Sequence, residues 1–519
     1  MTSKNIDQAL QEWKILLGDT DVRTAAELEP YKINCLGLTR TILAALRPST
    51  ELEVANLVKI AARWHIPLYA VSTGRNWGYG TSLPVTESCV LVDLSRMNHI
   101  LSMDAELGLV TLEPGVTQQQ LFDYLKAHNL DFFVPTVGAG PSVSVMGNAL
   151  ERGFGMTPQE DHFGAASAIR AVLPNGDIYQ SHLPSIGAAT ANGVWTWGVG
   201  PYLDGLFSQG NFGIVTSMQI ALARRPEHTE VYIFTHQKET SLSEFIDHCR
   251  VMLSGLKGSL GPLKLMNRRQ IEMTAGTDDV GMGFTPDYEW MGFGVIHTRK
   301  SMVRPIRAYV RKSLDGYLKR MLFMNTRRIQ FLNHLCRLIP RSWGRRFQTQ
   351  IGRLEELMSI MNGEPRGLEL KMVYRYVPMP ENKALDPIRD GVGLIWYAPI
   401  IPFKASVVVP MMSMMDETLK KHGFEPVVSL TVLNESCSIG VIPVIYKKPE
   451  QMEKAQACFE ELCKRGTELG CFPYRLPISA MEDLTKNSSS TYWDMVDRLK
   501  SVMDPERILS PGRYARRPS

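Results

Sequence analysis

The stretch Val71-Ser72-Thr73-Gly74-Arg75-Asn76-Trp77-Gly78-Tyr79-Gly80 constrains this chain more than any other. It follows the apolar run Ile66 to Val71, which predicts a short buried strand. Three glycines and small hydroxyl residues then follow. Glycine lets the backbone turn at positive φ and lets another group approach the main chain closely. Successive N–H groups in such a turn form a concave nest that suits phosphate oxygens, and Arg75 adds charge for the same anion. The pattern is neither the dinucleotide fingerprint G-x-G-x-x-G nor the P-loop. A plain strand-to-loop turn fits the same residues.

A chain of 519 residues predicts two or three domains. Its 44% hydrophobic and 21% charged residues are ordinary for a globular protein. A net charge of +4 is too small to argue for nucleic acid as a partner. The eight cysteines are scattered without a C-x-x-C pair, which argues against zinc ribbons and a c-type haem site. Free thiols fit a reducing cytoplasm. The first thirty residues lack the basic start and apolar core of a secretory signal. No apolar run approaches the roughly twenty residues that a membrane span needs.

Strand and helix signals alternate through the first two hundred residues. Ile6–Leu17 and Glu51–Ala61 carry apolar residues at helical spacing, the second behind Thr50 as N-cap. Cys89–Leu94 and Leu109–Glu113 read as strands, and Gln118–His128 as a helix. Ala168–Leu173, Pro174-Asn175-Gly176-Asp177 and Ile178-Tyr179 form a hairpin pattern. Met218–Ala223 is the last strand before a linker at Arg224-Arg225-Pro226-Glu227. A new unit then opens at Val231–Phe234, with a helix at Thr240–Leu256 and strands at Trp290–Ile296, Leu394–Ala398 and Val427–Val432. The fold class is α+β. The expected division is 1–226, 227–472 and 473–519.

The stretch 299–353 stands apart, with fifteen Lys or Arg and one acid, Asp315. Leu318, Met321, Leu322, Ile329, Leu332, Leu335 and Ile339 recur at helical spacing, so a basic amphipathic helix is expected. Three readings stay open for it: a solvated helix whose apolar stripe is core, contact with an anionic membrane surface, and docking of an acidic partner.

Four blocks resemble the vanillyl-alcohol oxidase and p-cresol methylhydroxylase flavoproteins. They are Ser72–Gly80, Gly147–Pro158, Gly200–Thr216 and Leu509–Arg513. The resemblance implies FAD and a two-lobed fold, with a discontinuous FAD domain and an inserted substrate (cap) domain. It implies that Ser72, Gly74, Arg75, Asn76 and Gly78 cradle the pyrophosphate. Gly147, Asn148, Glu151, Arg152 and Gly153 match a second cofactor-contacting block. Ile214 falls at the adenine, and Arg513 near the flavin N1–C2=O edge, where a cation stabilises the anionic reduced ring.

The family's phenolate-binding residues match Tyr79, Tyr474 and Arg475. Two hydroxyl donors and a guanidinium stabilise a phenolate, which pushes electrons toward the para carbon so that hydride can leave the benzylic position. A quinone methide results. Asp161 and His162 match an acid–histidine pair, read as ordering the flavin site, as a proton path, or as a capping Asp beside a packed His.

Two departures stand out. The segment Asn434–Gly440 has no histidine to tether the flavin, and the tethering tyrosine of p-cresol methylhydroxylase falls on Asp386. Non-covalent FAD and an Asp386 ester are the alternatives. The loop Thr136–Val143 lacks the active-site aspartate of vanillyl-alcohol oxidase, for which Glu435 is a candidate substitute. The expected activity is oxidation of a para-substituted phenol or a related aromatic. Oxidation of a non-phenolic alcohol or amine, and a membrane- or partner-docked flavoprotein, are the rivals. Oxygen and a cytochrome are both open as electron acceptors. A homo-oligomer is a family expectation, and the expected location is cytoplasmic, with a peripheral membrane position if the basic segment binds lipid.

Overall fold

The structure is a computed structural model. It describes residues 3–237, 239–275, 289–336, 341–381, 383–486 and 490–516. Three sheets organise the described chain.

The first sheet orders its strands Val22–Arg23, Ile42–Leu46, Cys89–Asp93, Leu68–Val71. The last three run parallel. All five residues of Cys89–Asp93 are buried, as expected where helices cover a parallel strand. The helices Ser3–Leu17 and Glu51–Trp64 pack on each other, and Trp13 is buried with its indole N–H donating to the Leu57 carbonyl at 3.2 Å. Thr50 caps the second helix by accepting from the Glu53 amide. The C-terminal segment returns to this sheet. Leu68 donates to Ile508 and Ser510 donates back to Leu68, each at 2.7 Å. Lys500, 1% exposed, locks that return by pairing with Asp504 at 2.6 Å and donating to the carbonyls of Asn211 and Leu509.

The second sheet is antiparallel, in the order Ile100–Asp104, Leu109–Leu112, Ile214–Ala221, Ala166–Val172, Ile178–Gln180. The strand expected at Met218–Ala223 starts four residues earlier, at Ile214, and lies at the centre of the sheet. Pairing on both sides extends it through Ile214 and Val215, which face Val172 and Ala171.

The third and largest sheet takes its strands from 228–446 alone. Its order is Leu318–Met324, His228–His236, Trp290–Thr298, Leu260–Asn267, Ser429–Val432, Cys437–Tyr446, Gly393–Tyr397, with Ile400–Pro402 also pairing Cys437–Tyr446. Side chains alternate between two cores, as a period of two requires. Tyr232 and Phe234 face a core that holds the helices Leu242–Gly255, Ala405–Lys421 and Met452–Glu468. Val231 and Ile233 face a second core with Ile329, Ile351, Leu357 and Met361.

The basic segment corrects the sequence reading. Leu318–Met324 is a strand, not part of a helix. The helix Val303–Ser313 stops before Asp315-Gly316, where Gly316 has φ +81°, and the chain then pairs antiparallel with His228–His236. Lys319 and Arg320 are exposed on this edge strand, where charge discourages pairing with another chain. Helices follow at Thr326–Cys336 and Arg341–Met361, while Ile339 lies outside the described residues. Of the expected apolar stripe, Ile329 is buried in a core and Leu332 packs half-buried against it, while Leu322 and Leu335 are exposed. Among the described residues no helix is long and apolar enough to cross a membrane.

Candidate flavin and substrate site

A cavity of about 840 Å³ is walled by Tyr69–Trp77, the helix Val145–Leu150, the strand start at Ile214 and the C-terminal return on one side, and by the large sheet and the Arg341–Met361 helix on the other. The loop and the short helix are pressed together. A Cβ on Gly147 would collide with the Ser72 hydroxyl, and one on Gly74, which has φ +64°, would collide with the Ser82 hydroxyl. Trp77 Nε1, Thr81 Oγ1 and Thr136 Oγ1 are buried, line the cavity and lack a hydrogen-bond partner among the described residues. Buried polar atoms are normally paired, so these three mark a place built for a polar ligand. The volume lies at the upper end for cofactor and small-molecule sites, and these features together fit a dinucleotide with a small substrate beside it.

Ser72, Gly74, Arg75, Asn76, Gly147, Asn148, Glu151, Ile214 and Arg513 all line the cavity. Gly78, Arg152 and Gly153 do not, and their work is local. Gly78, at φ +74°, lets the Trp396 indole pack against the loop. Arg152 takes φ +53° and donates from Nε to Ser208 Oγ at 2.9 Å. A side chain on Gly153 would overlap Asn148.

Tyr79, Tyr474 and Arg475 meet at the cavity wall. The Arg475 guanidinium carbon lies 4.2 Å from the centre of the Tyr79 ring. Burial, with Tyr474 beside it, holds the Tyr79 hydroxyl well above the ordinary tyrosine range against the pull of Arg475. It is therefore a donor at neutral pH. Arg475 also donates to Asn76 Oδ1 and lies 3.2 Å from Glu151, which pairs with Arg513 as well. One carboxylate between two guanidiniums leaves a net positive charge at this wall, suited to an anion. Phe154 stands edge-on to Tyr474 at 5.4 Å.

Other expected residues also lie away from the cavity wall. His162 is 2% exposed behind it, with Nδ1 bonded to the amide of Asn148. Burial pushes its pKa down to about 4, so it is neutral at pH 7 and positions Asn148. Asp161 accepts from the Gly164 amide at 2.9 Å in an exposed turn. The Asp386 carboxylate pairs with Arg75 at 2.7 Å and accepts from the Ile388 and Arg389 amides. Glu435 also points elsewhere, to Lys257 at 3.2 Å. Sequence reasoning missed Lys264 and Glu369, which line the cavity as an ion pair. The one sequence signal was a lysine inside the apolar run Leu263-Lys264-Leu265-Met266.

Comparison with known proteins shows the family and the fold. A family model described as an FAD binding domain matches residues 42–182. The chain is 32% identical, over 99% of its length and 98% of the relative's, to the 1'-carboxy-chondrochloren decarboxylase of Chondromyces crocatus. It is 27% identical, over 99% of its length and 96% of the relative's, to the flavoprotein subunit of a hydroxylating 4-cresol dehydrogenase from Pseudomonas putida. Among solved structures, p-cresol methylhydroxylase with substrate bound superimposes with a TM-score of 0.85 at 25% identity, covering 100% of this chain and 98% of that one. The 4-ethylphenol oxidase of Gulosibacter chungangensis, in an isoeugenol complex, shares the fold with a TM-score of 0.86 at 20% identity, again over 100% and 98%. The fold and the site define an FAD-dependent oxidoreductase. The chain belongs to the vanillyl-alcohol oxidase and p-cresol methylhydroxylase family, with its two-lobed α+β fold.

Proposed function

We propose that the protein oxidises a 4-substituted phenol, or a larger aromatic carrying one, at the benzylic carbon. The observation that carries this reading is the convergence of Tyr79, Tyr474 and Arg475 on one wall of the cavity. Bound FAD supplies a ring that accepts a hydride. The tyrosine hydroxyls donate to the phenol oxygen, and Arg475 adds charge, so the substrate's anion is favoured over its neutral form. The phenolate then supports departure of hydride from the side chain and becomes a quinone methide. Glu151 holds Arg475 and Arg513 in register, and Asn76 fixes the Arg475 guanidinium. Ser72, Gly74, Asn76, Gly147, Asn148, Ile214 and Arg513 would hold the cofactor without a covalent tether, since the Asp386 carboxylate is engaged by Arg75. The same reading assigns 1–226 and 473–519 to the FAD lobe and 227–472 to the substrate lobe, which the composition of the large sheet supports.

A second outcome of the same oxidation is favoured by the decarboxylase relative and by the acid-free loop Thr136–Val143. If the carbon beside the benzylic position bears a carboxylate, CO2 can leave the quinone methide. The electron pair of the broken C–C bond forms a side-chain double bond and returns the ring to phenolate, with no water added. Product analysis after incubation with a 4-alkylphenol tests the reading. An oxidised side chain is expected, and equal turnover of the matching methyl ether would contradict it.

A further inference from the structure

Lys264 stands in the middle of the apolar strand Leu260–Asn267. Its neighbours Leu263 and Leu265 enter the helix-covered core, so the two-residue alternation turns Lys264 and Met266 to the other face, where both line the cavity. Phe293 and Thr431, its partners on the adjoining strands, line the cavity too. Lys264 is 4% exposed. An ammonium carries three donors. Among the described residues one of them is used, on Glu369. Glu369 reaches this position because residue 138 is glycine, for a Cβ there would overlap its carboxylate. The Glu369 side chain is itself 37% exposed, and a buried lysine with donors to spare is costly unless a ligand completes it.

We infer that Lys264 is the recognition point for a carboxylate on the substrate, opposite the wall that takes the phenol oxygen. The preferred substrate is therefore a 4-substituted phenol whose side chain carries an anionic carboxylate. Glu369 is a positioning residue that orients Lys264. The inference rests on the phenolic reading for the other end of the ligand.

The test is equilibrium binding to the FAD-loaded protein with its flavin reduced and oxygen excluded, so that no probe is turned over, followed by calorimetry. The probes are 3-(4-hydroxyphenyl)propanoate, its methyl ester, and 3-phenylpropanoate. The wild type should bind the phenolic acid about 10- to 100-fold more tightly than the ester, the range for a charge-assisted hydrogen bond. Lys264→Met should abolish that preference while leaving the ester's Kd within about threefold, and Lys264→Arg should restore most of it. The double variant Lys264→Met/Glu369→Gln removes the stranded carboxylate and should behave as the single variant does, which separates lost recognition from misfolding. Equal affinity of the wild type for acid and ester, or equal weakening of both by Lys264→Met, would overturn the inference and leave the phenolic reading intact. Lys264-dependent binding of 3-phenylpropanoate as tight as that of the phenolic acid would instead remove the phenolic reading and keep the carboxylate site. No binding of any of the three acids and esters overturns both.

Discussion

Arg475 lies over the face of Tyr79, its guanidinium carbon 4.2 Å from the ring centre, although the two residues come from opposite ends of the chain. The loop after Leu68–Val71 brings Tyr79, and the bond from the Tyr474 amide to the Ala398 carbonyl at 3.0 Å fixes the other partner. Replacing Arg475 by Met should lower kcat/KM for a phenol by about 10²- to 10³-fold, the range for removing one preorganised donor to a developing anion. Flavin content should hold. Equal loss toward the methyl ether of the same substrate would mean that Arg475 serves the fold rather than the phenolate.

The contact between loop and helix at Ser72 and Gly147 gives a cofactor prediction. Gly147→Ala places a methyl group against the Ser72 hydroxyl. Overpacking of this kind costs about 1–3 kcal/mol, so FAD should bind roughly 5- to 150-fold more weakly. Titration of the flavin-free protein with FAD checks it, and an unchanged Kd would show that this contact does not shape the cofactor site.

Two buried histidines make stability depend on pH. Burial pushes both His162 and His297 down to about 4. The unfolded chain takes up protons near pH 6.5. Between that value and about 4 it binds more protons than the folded one, so stability falls as pH falls through this window. Each histidine should account for about 2 kcal/mol lost between pH 7 and pH 5. His297→Phe should remove its share. Denaturation at the two pH values measures this, and a variant with an unchanged pH difference would refute the assignment.

Acid precipitation addresses the flavin linkage. Arg75 holds the Asp386 carboxylate, so yellow colour should pass into the supernatant and the protein's mass should match the bare chain. Colour kept in the pellet, with added mass that Asp386→Ala abolishes, would establish the tether instead.

Much of this was legible in the sequence because it is local. The Gly-rich loop, the Thr50 cap and the Asn175-Gly176 hairpin each announce themselves within a few residues. Tyr474 and Arg475 were reached through family resemblance, since nothing local ties them to Tyr79. The basic segment misled because Leu318, Met321 and Leu322 satisfy a helical spacing, while the Gly316 turn and pairing with His228–His236 make them a strand. Of the readings open for His162, its place buried behind Asn148 favours an ordering or packed role over a proton path, which no linear pattern decides. Lys264 and Glu369 escaped notice because their meeting depends on sheet alternation and on the space left at Gly138, neither of which a linear pattern shows.

The central claim is that this flavoprotein takes electrons from a phenolate held by Tyr79, Tyr474 and Arg475. The most direct measurement mixes the FAD-loaded protein with a 4-alkylphenol without oxygen and follows the visible flavin band. The account predicts that the band bleaches with the phenol, that its methyl ether leaves it unchanged, and that Tyr474→Phe combined with Arg475→Met suppresses the bleaching while FAD stays bound. Bleaching by the ether at the same rate, or full bleaching in the double variant, would contradict it.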